Sequence, residues 1–403
     1  MIKRIRRYVL WAVLAACLLG KLGAEEFRYQ HRAGDSYRIL SVVNEDVYLD
    51  RKLNHQAEIL NRIAVKVLSE ANGKGRHEAV FQTSERSVQV NASAGRIFQW
   101  AREYSSIFER DSLGYITIDV SYFMPVVRNV PVVPGRDLKP GDTWSAEGHE
   151  MHDFRDSFGI AEPYRIPFTA HYTYLGNRMW KDREYPAFSV SYRIAHEPPA
   201  VRGTIWPRRI TGASDQIVYW DREKGQPQFY EESFRMLFEL STGMLVEYRG
   251  TARAEILESE DMDKEGMADQ IAADLEGLQG TTVRVDQEGV TISLEAIQFA
   301  ADSPDLLPVE LAKLDRIGEI LSRYPDRDIL VGGHTALAGN AAGRQTLSAQ
   351  RAATVADYLV RRGVREEERV VVRGYGADRP IADNNTAAGR ERNRRVEITI
   401  LEN

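Results

Sequence analysis

Strand-like and helix-like apolar patterns alternate through the last hundred residues, and this alternation restricts the chain more than any other feature. Ile297 to Ala300 reads as a strand, and Leu311, Leu314, Ile317 and Leu321 then recur at helical spacing. Pro308 suits the first turn of that helix, where a missing N–H costs nothing, and Tyr324-Pro325 stops it. Asp328 to Val331 reads as a buried strand, and Leu347, Ala352, Val355, Ala356 and Leu359 line a second helix closed by Gly363. Val370 to Val372 and Val396 to Ile400 supply two more strands. The order βαβαβ–β predicts a mixed sheet with helices packed on it.

Three short signatures sit at fixed places in this frame. Gly333-His334-Thr335 leaves a strand toward a helix, and Leu347-Ser348-x-x-Arg351-Ala352 lies within that helix. Gly374-Tyr375-Gly376 then leads to Asn393-Arg394-Arg395-Val396-Glu397-Ile398. Together they resemble the OmpA-like C-terminal domain, a family that holds peptidoglycan non-covalently. The resemblance covers about Val290 to Asn403; the whole arrangement is similar to the multidomain OmpA-containing envelope proteins of spirochaetes. It implies a pocket between the glycine loop and the second helix for the diamino acid of a stem peptide. Arg351, fifteen positions after Ala336, aligns with the arginine that grips a carboxylate, a task suited to a bidentate guanidinium fork. The family's loop continues with an aspartate that pairs with the ligand's ammonium, and here that position is Ala336. The family's helix asparagine aligns with Arg344, so both changes add positive character. Thr335, Asn340 and Arg394 complete the candidate site, with Asn340 placed to cover the ammonium in the missing acid's stead.

Upstream, from about Glu26 to Leu257, the dominant period is two. Ile59, Ile63, Val65 and Val67 alternate with Glu58, Arg62, Ala64 and Lys66, as in a half-buried strand. Gly114 to Phe123, Ile166 to Tyr174, Phe188 to Ile194 and Ile217 to Trp220 read likewise. Phe229 to Leu240 and Met244 to Ile256 flank Ser241-Thr242-Gly243 as a hairpin. The proline- and glycine-rich stretch 125–144 marks a candidate split into two subdomains, and its Pro140-Gly141 presets a type II turn that sets Trp144 to plug the core. Arg193, Arg235 and Glu239 spoil the continuous apolar outer face a membrane barrel needs. The expectation is therefore a mainly antiparallel β domain, as a soluble sheet or curled sandwich. Residues 258–266 form a charged linker, and 267–294 read as a small helix-hairpin connector, with Met267, Ile271, Leu275 and Leu278 at helical spacing. Residues 295–403 are the α/β module.

Residues 1–24 read as a signal peptide: Lys3, Arg4, Arg6 and Arg7 precede an apolar run too short for a bilayer span. Leu14-Ala15-Ala16-Cys17 resembles a bacterial lipobox, which makes Cys17 a candidate lipidation site; cleavage after Ala24 is the alternative. Cys17 is the only cysteine, so no disulfide framework exists. The chain is expected in the periplasm, associated with the outer membrane. Its 53 basic and 59 acidic residues give a net charge of −6, which excludes a global nucleic-acid binder. Residues 344–395 nonetheless hold twelve arginines and no lysine against seven acids, a cationic stretch suited to a carboxylate partner.

His149-Glu150-Met151-His152 with Asp153 lacks the zinc-protease spacing, and on a loop it makes no metal site. No nucleophile context and no phosphate loop is present, so neither an enzyme nor a cofactor is expected. The function expected is an envelope protein whose C-terminal module docks on peptidoglycan, weakened or retuned at Ala336, while the β-rich region engages other envelope proteins. A divergent module acting as a protein-interaction scaffold is one alternative. A lipid or lipoprotein carrier, with an enclosed apolar cavity in the β-rich region, is another.

Overall fold

The computed structural model describes residues 25–89, 98–258, 262–286, 288–299, 303–304 and 306–402; the expected signal peptide, Cys17 and part of the expected linker lie outside them. The β-rich region begins with β1 (Glu25–Glu26), β2 (Ser36–Leu49), β3 (Lys52–Ala71), β4 (Lys74–Gln89) and β5 (Phe98–Asp111). Short strands β6 (Ile116–Ile118), β7 (Val127–Arg128) and β8 (Asp137–Leu138) follow, then β9 (Thr143–His152) and a single turn α1 (Arg155–Phe158). The long strands β10 (Tyr164–Trp180), β11 (Arg183–His196), β12 (Pro207–Asp221), β13 (Gln226–Leu240) and β14 (Leu245–Glu258) complete it.

All of these long strands share one antiparallel ladder. β5, β4, β3 and β2 run side by side, β2 pairs with β14, and β13, β12, β11, β10 and β9 continue from there. Strands from either side of the 125–144 stretch thus belong to one sheet instead of two subdomains. The expected strand 114–123 shrinks to the three residues of β6, because the chain must turn there to cross the open side of the curl. The sheet curls into a barrel, and the proline-rich segment lays its seam. Ser106 Oγ on the β5 side donates to Met124 O at 2.8 Å, and Met151 N–H on the β9 side donates to Val126 O at 2.9 Å.

Even-numbered residues of β9 to β13 point inward, and aromatic packing fills the space between them. Phe27 and Tyr29 enter from the N-terminal segment and meet Trp220 edge-on, with ring centroids 6.1 and 4.9 Å away. Trp144 stacks on Tyr172 at 5.0 Å and donates its indole N–H to Val132 O at 2.8 Å, so it does plug the core. Gly141 has φ 95° and Asp142 N–H donates to Lys139 O at 2.9 Å, as the Pro-Gly turn requires. Outward faces carry exposed pairs such as Arg193 with Asp215, 3.1 Å apart.

The C-terminal part holds α2 (Lys264–Asp274), β15 (Thr281–Val285), β16 (Gly289–Glu295), α3 (Leu311–Leu321), β17 (Ile329–Gly333), α4 (Ala341–Arg361), β18 (Val370–Gly374), α5 (Ala387–Asn393) and β19 (Arg395–Leu401). The sheet order is β15-β16-β19-β17-β18, with β17 and β18 parallel. The 267–294 segment is therefore no separate connector. Its hairpin pairs with β19, and Ile271 and Leu275 pack with Leu314, Ile317 and Ile398 in one apolar core. Helix α5 leaves no trace in the sequence pattern, since Ala-Ala-Gly-Arg-Glu-Arg-Asn has no apolar periodicity.

The two parts meet along an edge. β18 pairs in parallel with β5 through Val371 and Val372 against Phe98 and Gln99. Trp100 packs with Leu330, Val371 and Leu401 on the sheet face away from α3 and α4. Arg62 of β3, 5% exposed, places Nε 2.6 Å from Asp328 Oδ2, also 5% exposed, and Arg86 reaches Glu367 at 2.7 Å.

Candidate functional site

Backbone contact explains the glycines of the signatures. A Cβ on Gly333 would stand 2.0 Å from Ser348 O, and one on Gly374 would stand 2.7 Å from Ala349 N. Helix α4 therefore lies directly on the ends of β17 and β18, an approach that only residues without side chains allow. Ser348 locks this crossing: its Oγ donates to Gln345 O at 2.8 Å and accepts from Gly376 N–H at 2.9 Å. Gln345 Nε2 donates to Gly374 O at 2.7 Å, and Thr335 N–H donates to Gly376 O at 2.8 Å. The two glycine loops are thus one knitted surface at the start of α4.

His334 serves this frame. It is 2% exposed, stacks on Tyr375 at 4.8 Å, and brings Nε2 within 3.2 Å of Glu397 Oε2. Burial pushes its imidazole below the ordinary value, so it is neutral at pH 7. Glu397 also receives two hydrogen bonds from Arg284 at 3.0 and 2.9 Å and one from Arg395 Nε at 2.7 Å. Burial opposes ionisation of Glu397, yet the adjoining His334 imidazole, the hydrogen bonds from Arg284 and the Arg395 charge hold its carboxyl well below the usual range. In the sequence Glu397 stands inside a motif with no role attached to it; the run Arg395-x-Glu397 on one strand face is the signal that marks it.

The expected site residues take the following places. Thr335 is 7% exposed and its Oγ1 is buried without a hydrogen-bond partner among the described residues, while Ala336 beside it is 6% exposed. Asn340 is the N-cap of α4, and its Oδ1 accepts from Gly343 N–H at 2.6 Å. That engages the very oxygen an ammonium would need. Arg344 folds back and donates to Gly339 O at 2.6 Å, which ties the loop to the helix. Arg351 lies further along the helix; its guanidinium stacks over Phe299 at 4.8 Å and its Nε reaches Ser303 O at 3.4 Å. Arg394 is exposed beyond α5. The structure brings Thr335, Ala336, Asn340 and Arg344 together around the start of α4 and sets Arg351 against Phe299 and Ser303. Asn393, 1% exposed, accepts from Ile381 and Ala382 N–H at 2.8 and 3.0 Å, and so ties that loop to the end of α5.

The His149-Glu150-Met151-His152 run lies on strand β9 and not on a loop. Alternation turns Glu150 and His152 inward, where His152 Nε2 meets Glu150 Oε2 at 2.6 Å and Tyr192 Oη donates to Glu150 Oε1 at 2.8 Å. No group of three metal-ligating side chains occurs among the described residues.

Residues 298–394 match the model of the OmpA family. The peptidoglycan-binding protein ArfA of Mycobacterium tuberculosis is 42% identical over 104 residues, which are 26% of this chain and 32% of that protein. The probable lipoprotein YiaD of Escherichia coli is 36% identical over 126 residues, 30% of this chain and 57% of its own length. The chain thus spans about a third of the mycobacterial relative and somewhat over half of the other. Among solved structures, an outer membrane protein from Borrelia burgdorferi is 30% identical, covering 30% of this chain and 96% of its own, at a TM-score of 0.26. The β-rich region lies outside the residues matched by the family model. At its C-terminus, across residues 298–394, this chain carries an OmpA family domain.

Proposed function

We propose that this protein is a component of the bacterial envelope, facing the periplasm, whose C-terminal module docks non-covalently on peptidoglycan stem peptides. The observation that carries the reading is the buried Thr335 Oγ1 without a partner, in the loop where the OmpA resemblance puts the ligand. A buried hydroxyl left unmatched is uncommon in a folded protein and is satisfied when a ligand's polar group meets it. Arg351, held flat by Phe299, supplies the carboxylate grip with little side-chain freedom left to lose. The mycobacterial relative named for peptidoglycan binding aligns with this same portion of the chain.

The ammonium side of the pocket is weak. Ala336 offers no charge, and Asn340 Oδ1 is engaged by Gly343 N–H. A charge-assisted hydrogen bond contributes about 1.5–3 kcal/mol, so its loss weakens binding by roughly ten- to a hundredfold. Docking is accordingly weaker than in a family member that keeps the acid.

Pull-down with purified sacculi tests this. The wild-type chain is retained, Arg351→Ala is released, and Ala336→Asp is retained more strongly at higher salt. Equal retention of the wild type and Arg351→Ala would remove the docking site from this reading. Retention seen with Ala336→Asp alone would mean that the natural chain has given up the wall and acts as an interaction scaffold.

A further inference from the structure

The β-rich barrel is filled on one side and hollow on the other. Between β2, β3, β4, β5, β13 and β14 lies a cavity of about 720 Å³, within the ~300–1,000 Å³ range of small-ligand sites. Its wall is mainly apolar, built from side chains such as Ile39, Ile63, Phe81, Tyr104, Tyr230 and Ile256. The ladder sets them level: Ile39 faces Ile63, Ile63 faces Phe81, Phe81 faces Tyr104, and Ile256 faces Ile39. An apolar hole of ~150 Å³ holds one benzene, so this one admits a long hydrocarbon chain.

At one end the cavity adjoins a second, of about 430 Å³, and the two share Tyr29, Tyr37, Arg110, Gln226 and Ile256. The smaller one is polar and reaches the surface at the exposed Arg32 and Asp35, with Lys224 also in its wall. Arg110 stands at the junction. Its guanidinium lies 5.1 Å over the Tyr29 ring and 5.6 Å from the Phe108 ring, and it bonds the Tyr37 hydroxyl. Its Nε is buried with no hydrogen-bond partner, and no ion pair joins it to a carboxylate among the described residues. His77, 1% exposed, stacks on Phe108 at 5.2 Å and lines the same chamber, with its Nδ1 also unpartnered. His31 Nε2 is the third such nitrogen there.

We propose that this paired cavity binds a long-chain fatty acid, its carboxylate on Arg110 and its hydrocarbon tail in the larger chamber. The cation sits where the polar vestibule gives way to the apolar tube, as an amphiphile with an anionic head demands. One planar fork with an unpaired N–H matches a carboxylate. The neutral His77 adds a hydrogen-bonding nitrogen to the head without a second charge. Of the carboxyls that line the larger chamber, Glu85, Glu150, Glu232 and Glu255, none lines the vestibule, whose own acid, Asp35, is exposed at the mouth. Burial raises the Glu232 carboxyl from its ordinary value, and Ser214 and Gln216 hydrogen-bond it.

Equilibrium binding of radiolabelled palmitate to the full chain tests this, with hexadecanol and shorter fatty acids as competitors. One palmitate binds per chain, and each methylene removed weakens binding about fourfold. Hexadecanol binds at least tenfold more weakly than palmitate. Arg110→Gln brings palmitate down to the hexadecanol level and leaves hexadecanol unchanged. Ala254→Trp, which fills the larger chamber, removes both ligands; retention on sacculi reports separately that the C-terminal module still folds and docks. Palmitate binding that ignores chain length, or that survives both substitutions, overturns the proposal whatever the sacculi show. Equal loss of hexadecanol in Arg110→Gln overturns the placement of the carboxylate.

Discussion

His77 shows how one side chain ties the stability of the barrel to pH. It is buried against Phe108, and burial, joined by the charges of Arg110 and His31, pushes its imidazole down to about 3 from the ordinary 6.5. The unfolded chain therefore binds a proton below pH 6.5 that the folded chain refuses until about pH 3. Stability falls as pH drops through that window, by about 1.4 kcal/mol per pH unit from this group. Replacing His77 by Phe should flatten this limb of a urea-denaturation series between pH 6 and 4. An unchanged slope would place the titration elsewhere. Glu45 has the opposite sign. Burial, with the Glu85 charge, raises its carboxyl to about 7, so stability is complete below its ordinary 4.5 and is lost as pH rises through 7. Glu45→Gln should raise the midpoint of thermal unfolding at pH 8 and leave it unaltered at pH 4.

At the scale of elements, the C-terminal module depends on how closely α4 can approach β17 and β18. Gly333 and Gly374 face each other in the parallel register, and a methyl group on either would be driven into the backbone of α4. The Gly333 side is the tighter, with Ser348 O only 2.0 Å from where a Cβ would stand, so helix and strand must part there. Overpacking of this kind costs about 1–3 kcal/mol or more. Gly333→Ala is expected to lower the denaturation midpoint accordingly and to weaken sacculus retention, because Thr335 and Ala336 follow directly. The cap on Asn340 matters less: its loss to alanine removes one bond to Gly343 and about 1 kcal/mol.

For the whole molecule, the contact of β5 with β18 joins a barrel and an α/β sheet that have separate cores. Arg62 is the buried fastener, since it meets Asp328 at 2.6 Å and also donates to Glu368 O at 2.5 Å. Removing one partner of a buried pair leaves the other charge unmatched, at about 3–5 kcal/mol. Arg62→Ala should therefore split calorimetric unfolding into two transitions, where the wild type shows one. Two transitions in the wild type would mean that this edge contributes little coupling.

The helices α3 and α4 were readable in the sequence because their constraints are local: helical spacing from Leu311 to Leu321, a helix running to Gly363, and glycines where backbones touch; the strand expected at Ile297 gives instead a single bridge from Phe299 to Leu306. Strands β3, β10, β11, β12, β13 and β14 and the Ser241 to Gly243 turn of the β-rich region were readable for the same reason, since side-chain alternation is a property of neighbours along the chain. What the pattern could not carry was partnership. Period-two spacing does not say that β14 returns to β2, that the β15–β16 hairpin completes the module's sheet, or that the proline-rich segment lays a seam. Those pairings join residues far apart in the chain, and their loop-closure entropy is repaid only when the whole apolar face is buried at once. The same holds for Arg110 and Glu397, whose neighbours come from several strands. The amino-acid order by itself marked α3, α4 and strands such as β3, β10, β13 and β14, and where α4 must touch a strand, while α5, β9 and the shortness of β6 escaped it. Tertiary structure alone decided which strands close around the hollow and which charges end up buried together, because burial is a property of the assembled surface.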